Sequence, residues 1–151
     1  MTVIVYAITG RWQYSFSQDF WFIFLEQDKR LYLFVDSMCR SLYFKAAETP
    51  VTLGPVETWK YSLPASVFQS AAKNPLNQGF CAGDICLPSG LLNLTTCFKD
   101  TYDLSLPYVL SKPHLLDVDQ SVQSQVLGLS PDSDKHGTDL FVEPITGLLL
   151  G

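Results

Sequence analysis

Long apolar runs are missing from this 151-residue chain. Its most apolar windows, residues 1–10 and Phe20–Leu25, are held apart by Arg11, Gln13, Gln18 and Asp19. A membrane-spanning helix needs roughly 20 mostly apolar residues, so none is expected here. The start also lacks the early Lys or Arg and the small-residue cleavage site of a secretory leader. Charge is scarce, at 17% of residues, against a usual share of about 25%. With 47% hydrophobic residues, that excludes a disordered, self-repelling chain. Basic excess is absent too: 10 Lys and Arg against 15 Asp and Glu leave a net charge of −5. Such a surface has little with which to neutralise phosphates, which argues against nucleic-acid binding. Repeats, low-complexity tracts and linkers are also lacking, and the length is that of one domain.

What is present points to strands. Ten Phe, seven Tyr and three Trp supply apolar area for a core, and nine Gly with nine Pro cut the chain into short elements. Leu31–Val35, bounded by Lys29-Arg30 and Asp36-Ser37, reads as a strand buried on both sides. Val56–Leu63 alternates apolar and polar after Gly54-Pro55 and stops at Pro64, the pattern of a half-buried strand. Tyr108–Leu110 sits between Pro107 and Pro113, and Leu140–Val142 is closed by Pro144; both read as short strands. Gln120–Leu127 is the best helix candidate, and residues 73–90 carry turn chemistry throughout.

Four residue groups invite a chemical reading. Cys39, Cys81, Cys86 and Cys97 do not form the two close pairs of a structural zinc site, since only Cys81 and Cys86 are near each other. Two disulfides use all four, and three connectivities are open; four free thiols are the remaining alternative. Asn93-Leu94-Thr95 is an N-glycosylation sequon, weak alone but consistent with an oxidising compartment. Asp132, Asp134, Gly137 and Glu143 match the spacing of a calcium loop. His136 stands where an oxygen ligand belongs, and Pro144 forbids the exit helix. A calcium-binding module using Asp132, Asp134 and Glu143 is therefore the rival reading from another function class. Ser111, His114 and Asp117 have no nucleophile elbow around them, and no phosphate loop or metalloprotease motif occurs. The reading is of a protein that is not an enzyme and implies no cofactor.

Five strings in order resemble one family, the class B scavenger receptors. They are Phe34–Tyr43 (F-V-D-S-M-C-R-S-L-Y, with Ser37 as an extra residue), Asn74–Cys81 (N-P-L-N-Q-G-F-C) and Gly90–Cys97 (G-L-L-N-L-T-T-C). The fourth is Ser111–Asp119, with Leu115 in place of Phe and Val118 in place of Ala; the fifth comprises Gly128–His136 and Val142–Gly147. The resemblance implies pairing of Cys39 with Cys97 and of Cys81 with Cys86. It also implies a mainly β fold with short helices: a partial antiparallel β-barrel-like ectodomain, disulfide-stapled and traversed in the family by a lipid-conducting tunnel.

The motifs run from Leu31 to Gly147, so residues 31–151 are expected to form a partial scavenger-receptor ectodomain, while 1–30 resemble nothing in the family and stay unassigned. The family's helical apex, both membrane helices and its later strands have no counterpart here. An internal piece is the expectation, with an incomplete sheet, an exposed apolar surface and an N-terminal stretch that packs opportunistically or not at all. The implied function is binding and transfer of lipids, fatty acids or lipoproteins by a membrane glycoprotein, at the plasma or lysosomal membrane, with its ectodomain outside or in the lumen. A lysosomal-type receptor for a protein partner is the alternative within the family. Trp59, Tyr61, Tyr108 and Leu110 are candidate tunnel liners, or equally ordinary core, and Asn93 is expected to be exposed and glycosylated.

Overall fold

A computed structural model describes residues 4–7, 30–47, 50–81, 83, 85–103 and 107–150. The described residues form eight strands and three short α-helices, and the chain divides into two compact units: Met1–Thr9, Phe34–Arg40 and Ala65–Gly137 form one, and Gly10–Leu33, Ser41–Pro64 and Thr138–Gly151 the other.

In the first unit, β1 (Ile4–Ala7) pairs parallel with β7 (Tyr108–Ser111), and β7 pairs antiparallel with β6 (Leu91–Asn93). Ile4–Ala7 thus has a defined place, where no role was legible in the sequence. The rest of the apolar N-terminal stretch lies outside the described residues. Helix α1 (Thr95–Tyr102) follows β6 directly. Helix α2 spans only Gln120–Gln123, because the chain turns at Ser124 rather than continuing to Leu127. Helix α3 (Ser133–His136) is capped by Asp132, whose Oδ1 accepts the Asp134 N–H at 2.9 Å. Val67, Phe68, Leu92, Val109, Leu110 and Val118 are among the buried side chains of this unit.

The second unit is organised by β5 (Val56–Ser62), which pairs antiparallel with three strands. Residues Tyr61 and Ser62 pair with the end of β3 (Arg40–Ala46), Val56–Thr58 with β4 (Val51–Leu53), and Trp59–Ser62 with β8 (Asp139–Val142). Strand β2 (Leu31–Val35) lies next to β3 in the same sheet. The expectation that β2 is buried on both sides fails: Leu31 is buried, but Tyr32 and Phe34 are 56% and 52% exposed. Its continuous apolar run alternates in the structure, as a one-sided strand does. Tyr61 and Val142 are wholly buried, and Phe44 nearly so.

The described part of the protein is therefore mainly β with short helices; β3–β5, β4–β5, β5–β8 and β6–β7 pair antiparallel and β1–β7 parallel. Among the described residues neither sheet closes into a barrel. No helix among them is long and apolar enough to cross a membrane.

Candidate functional site

The first unit holds a pocket of about 30 Å³ to which three of the five motif strings contribute. Arg40 comes from the first, Asn77, Phe80 and Cys81 from the second, Leu91, Leu92 and Asn93 from the third. A volume of that size admits about two water molecules.

Each string has a local reason for its position. Cys39 adopts a left-handed conformation (φ 49°) and is bonded to Cys97 of α1, with a Cα–Cα distance of 5.7 Å. That turn delivers the next residue, Arg40, into the interior, where it is only 6% exposed. Asn74 caps the 3-10 turn Pro75–Phe80 by accepting the Leu76 N–H, and its Nδ2 donates to the Ser66 carbonyl. Asn77 Nδ2 points at the carbonyls of Ser66, Val67 and Gln69, at 3.2, 3.3 and 2.7 Å. These amide donors fasten the turn to the carbonyls of residues 66, 67 and 69. The Cys81–Cys86 bridge, Cα–Cα 4.5 Å, forms another part of the wall. Gly90 (φ +86°), just before the pocket-lining Leu91, lets the chain pass close to Val118, since a Cβ there would lie 2.4 Å from the Val118 Cα.

Arg40 is the unusual member. Its guanidinium carbon stands 3.5 Å from the Phe80 ring centroid and 5.9 Å from that of Phe68. One Nη donates to the Val67 carbonyl at 3.2 Å, while Nε has no hydrogen-bond partner among the described residues. No acidic side chain described in the structure pairs with it. Burial pushes its pKa down to about 10, so it stays charged at neutral pH. A buried arginine without a carboxylate is expensive, and stacking on an aromatic face offsets only part of that cost. Sequence reasoning passed over it, because an arginine in a string reads as a solvated charge.

The other sequence-predicted residues are placed as follows. Asn93 is half-buried rather than exposed, and its Oδ1 accepts the Thr95 N–H at 2.9 Å. Asp132 caps α3 and pairs with Lys135 at 3.4 Å. Both Glu143 carboxylate oxygens bind within its own turn, to the Ile145 and Thr146 N–H groups and the Thr146 hydroxyl. These hydrogen bonds, led by the Thr146 hydroxyl, hold Glu143 below the usual carboxylate range. Among the described residues no three His, Cys, Asp or Glu side chains converge, so Asp132, Asp134 and Glu143 are not brought together.

Ser111, His114 and Asp117 form no triad. Ser111 is buried and donates to the Lys112 carbonyl, Asp117 pairs with buried Lys112 at 2.7 Å, and His114 Nδ1 accepts the Ser130 N–H. Of the candidate liners, Tyr61 and Leu110 are core, Tyr108 stacks on Phe98 with ring centroids 4.3 Å apart, and Trp59 is half-buried. Trp59 and Tyr61 belong to one unit, Tyr108 and Leu110 to the other.

A sequence profile of the CD36 family matches residues 11–151. The chain belongs to that family, the class B scavenger receptors. The match begins upstream of Leu31, where the recognisable strings start. Sensory neuron membrane protein 2 of Heliothis virescens is 35% identical over 129 residues, covering 81% of this chain and 24% of the relative. Scavenger receptor class B member 1 of Sus scrofa is 30% identical over 132 residues, 87% of this chain and 24% of the relative. Lysosome membrane protein 2 of Homo sapiens is 29% identical over 127 residues, 83% of this chain and 25% of the relative. The chain thus spans about a quarter of the length of these family members.

Proposed function

We propose that this chain serves in a membrane glycoprotein receptor that binds lipids and passes them on without chemical change. The family match over residues 11–151 carries the reading. Two disulfides, which persist in oxidising compartments, support an extracellular or lumenal position for these residues. Exposed apolar side chains on the turn and loop beside the pocket (Leu76, Phe80 and Ile85) suit an apolar ligand. Asn93, in its sequon, is the proposed glycan site.

The similarity to Lysosome membrane protein 2 supports the lysosomal membrane as the location in a second reading, in which the receptor binds a protein partner. A transfer assay separates the two. The full chain, secreted with its disulfides formed, is mixed with donor vesicles carrying a fluorescent long-chain fatty acid and with unlabelled acceptor vesicles. Saturable transfer that scales with protein concentration supports the lipid reading. Transfer at the rate of protein-free vesicles overturns it.

A further inference from the structure

Arg40 brings together three features that structural arginines rarely combine. It is nine-tenths buried, it faces a pocket, and its Nε–H has no partner among the described residues. Its position is also fixed in advance. The disulfide turn at Cys39 aims it, the Phe80 ring covers one face, and the Val67 carbonyl holds one Nη. That carbonyl is itself steadied by Asn77. A donor immobilised in this way loses little entropy when an acceptor arrives. Arginine's planar fork suits a carboxylate, whose two oxygens match adjacent N–H groups.

We propose that the pocket beside Arg40 is a carboxylate subsite, in which Nε–H donates to an oxygen of an anionic head group. Its size limits what enters. About 30 Å³ holds a head group and no chain. Whatever the carboxylate is attached to must therefore leave past Phe80, which is 41% exposed, toward the exposed Leu76 and Ile85 on the neighbouring turn and loop. Two sources share this chemistry: a small free carboxylate, and the head of an aliphatic acid whose tail lies on those apolar side chains. The tail's part rests on the lipid-binding reading above; the anion site rests on Arg40 and its surroundings.

The test uses the full chain with its disulfides intact and ¹³C-carboxyl octanoate, followed by NMR of the carboxyl resonance, with acetate and octanol as competitors. Saturable octanoate binding that both acetate and unlabelled octanoate displace, and octanol does not, is expected. Tighter binding of octanoate than of acetate assigns the tail a place on the apolar rim; equal affinities leave the small anion as the ligand. Arg40→Lys keeps a charge but removes the Nε–H, and should weaken octanoate at least about tenfold, the loss of one hydrogen bond to a charged group. Should that variant fail to fold, Phe80→Leu carries the test: it leaves the buried frame intact, unclamps the guanidinium, and should weaken binding several-fold. Absence of binding, equal competition by octanol, or unchanged affinity in a folded Arg40→Lys variant would overturn the subsite. Vesicle transfer that survives those results would leave the receptor reading standing without it.

Discussion

His114 and His136 stack ring on ring, with centroids 4.2 Å apart and planes 19° from parallel. Each Nδ1 accepts a backbone N–H, His114 from Ser130 and His136 from Asp132. The two histidines therefore fasten a loop, and a ring nitrogen that accepts an N–H carries no proton of its own. The expected outcome is that the neutral form of each ring is the Nε2–H tautomer. Long-range ¹⁵N–¹H NMR correlations check it, and an Nδ1–H signal from either neutral ring would contradict this arrangement.

The Cys39–Cys97 bridge closes a loop of sequence separation 58, and the Cys81–Cys86 bridge one of separation 5. Loop closure predicts losses of about 4 and about 2 kcal/mol on replacing each pair by serine. Denaturant unfolding measures this directly. Peptide mapping without reductant should recover those two pairs, and a Cys39–Cys81 peptide would refute them.

Gly90→Ala tests the close approach of Gly90 to Val118. An alanine there adopts a left-handed backbone and collides with the Val118 main chain. A loss of at least about 2 kcal/mol is expected, from strain and displaced packing together. An unchanged melting temperature would show that residues 88–90 and Val118 do not meet as described.

Two carboxylates set the response to acid. Lys73, at 2.5 Å, and the Ser89 N–H hold Asp119 below its ordinary value, as the Thr146 hydroxyl and neighbouring N–H groups hold Glu143. A folded-state pKa below the unfolded one means stability that is fully present above the unfolded value and fades as pH falls through the folded value. The contribution of these two carboxylates should thus be flat near neutrality and fall below about pH 4. Asp119→Asn and Glu143→Gln should each flatten that fall, as read from melting temperatures between pH 2.5 and 7. A decline that starts at pH 6 would point to other groups.

Asn93 makes a prediction of its own. Its side chain is half-buried and lies at the Arg40 pocket, so a glycan would leave from the pocket's edge. Chain made in a eukaryotic secretory pathway should lose mass on treatment with an amidase that removes N-glycans. Asn93→Gln should abolish that change, and no mass change in the parent would remove the assignment.

Some of this fold was legible and some was not, for reasons specific to each element. Strand β5 showed itself because polar and apolar residues alternate and glycine and proline bracket it. Strand β3 carries the same alternation, with Leu42 and Phe44 buried and Ser41 and Lys45 exposed, and counting period two across Arg40–Ala46 would have found it. Helix α1 had no such signal. Thr95–Tyr102 is rich in poor helix formers, and tertiary ties, the Cys97 bridge among them, override local preference. The pocket stayed hidden because its walls are about 50 residues apart in the chain. The strings that build it were recognisable, but their convergence on Arg40 belongs to the third dimension.

The path of the chain has a consequence for how the protein is made. It passes between the two units after residues 9, 33, 40, 64 and 137, so neither unit is a continuous piece of sequence. Strand β5 is synthesised long before its partner: Ser62 and Asp139, joined by a hydrogen bond, are 77 residues apart. At translation rates of about 5–20 residues per second, β5 waits roughly 4–15 s for β8. Throughout that interval the growing chain presents unpaired strand backbone and the Tyr61 ring to its surroundings. The hazard in biogenesis falls on this waiting strand, and a ribosome stalled before Asp139 would release a product whose first unit is complete in sequence and whose second is not.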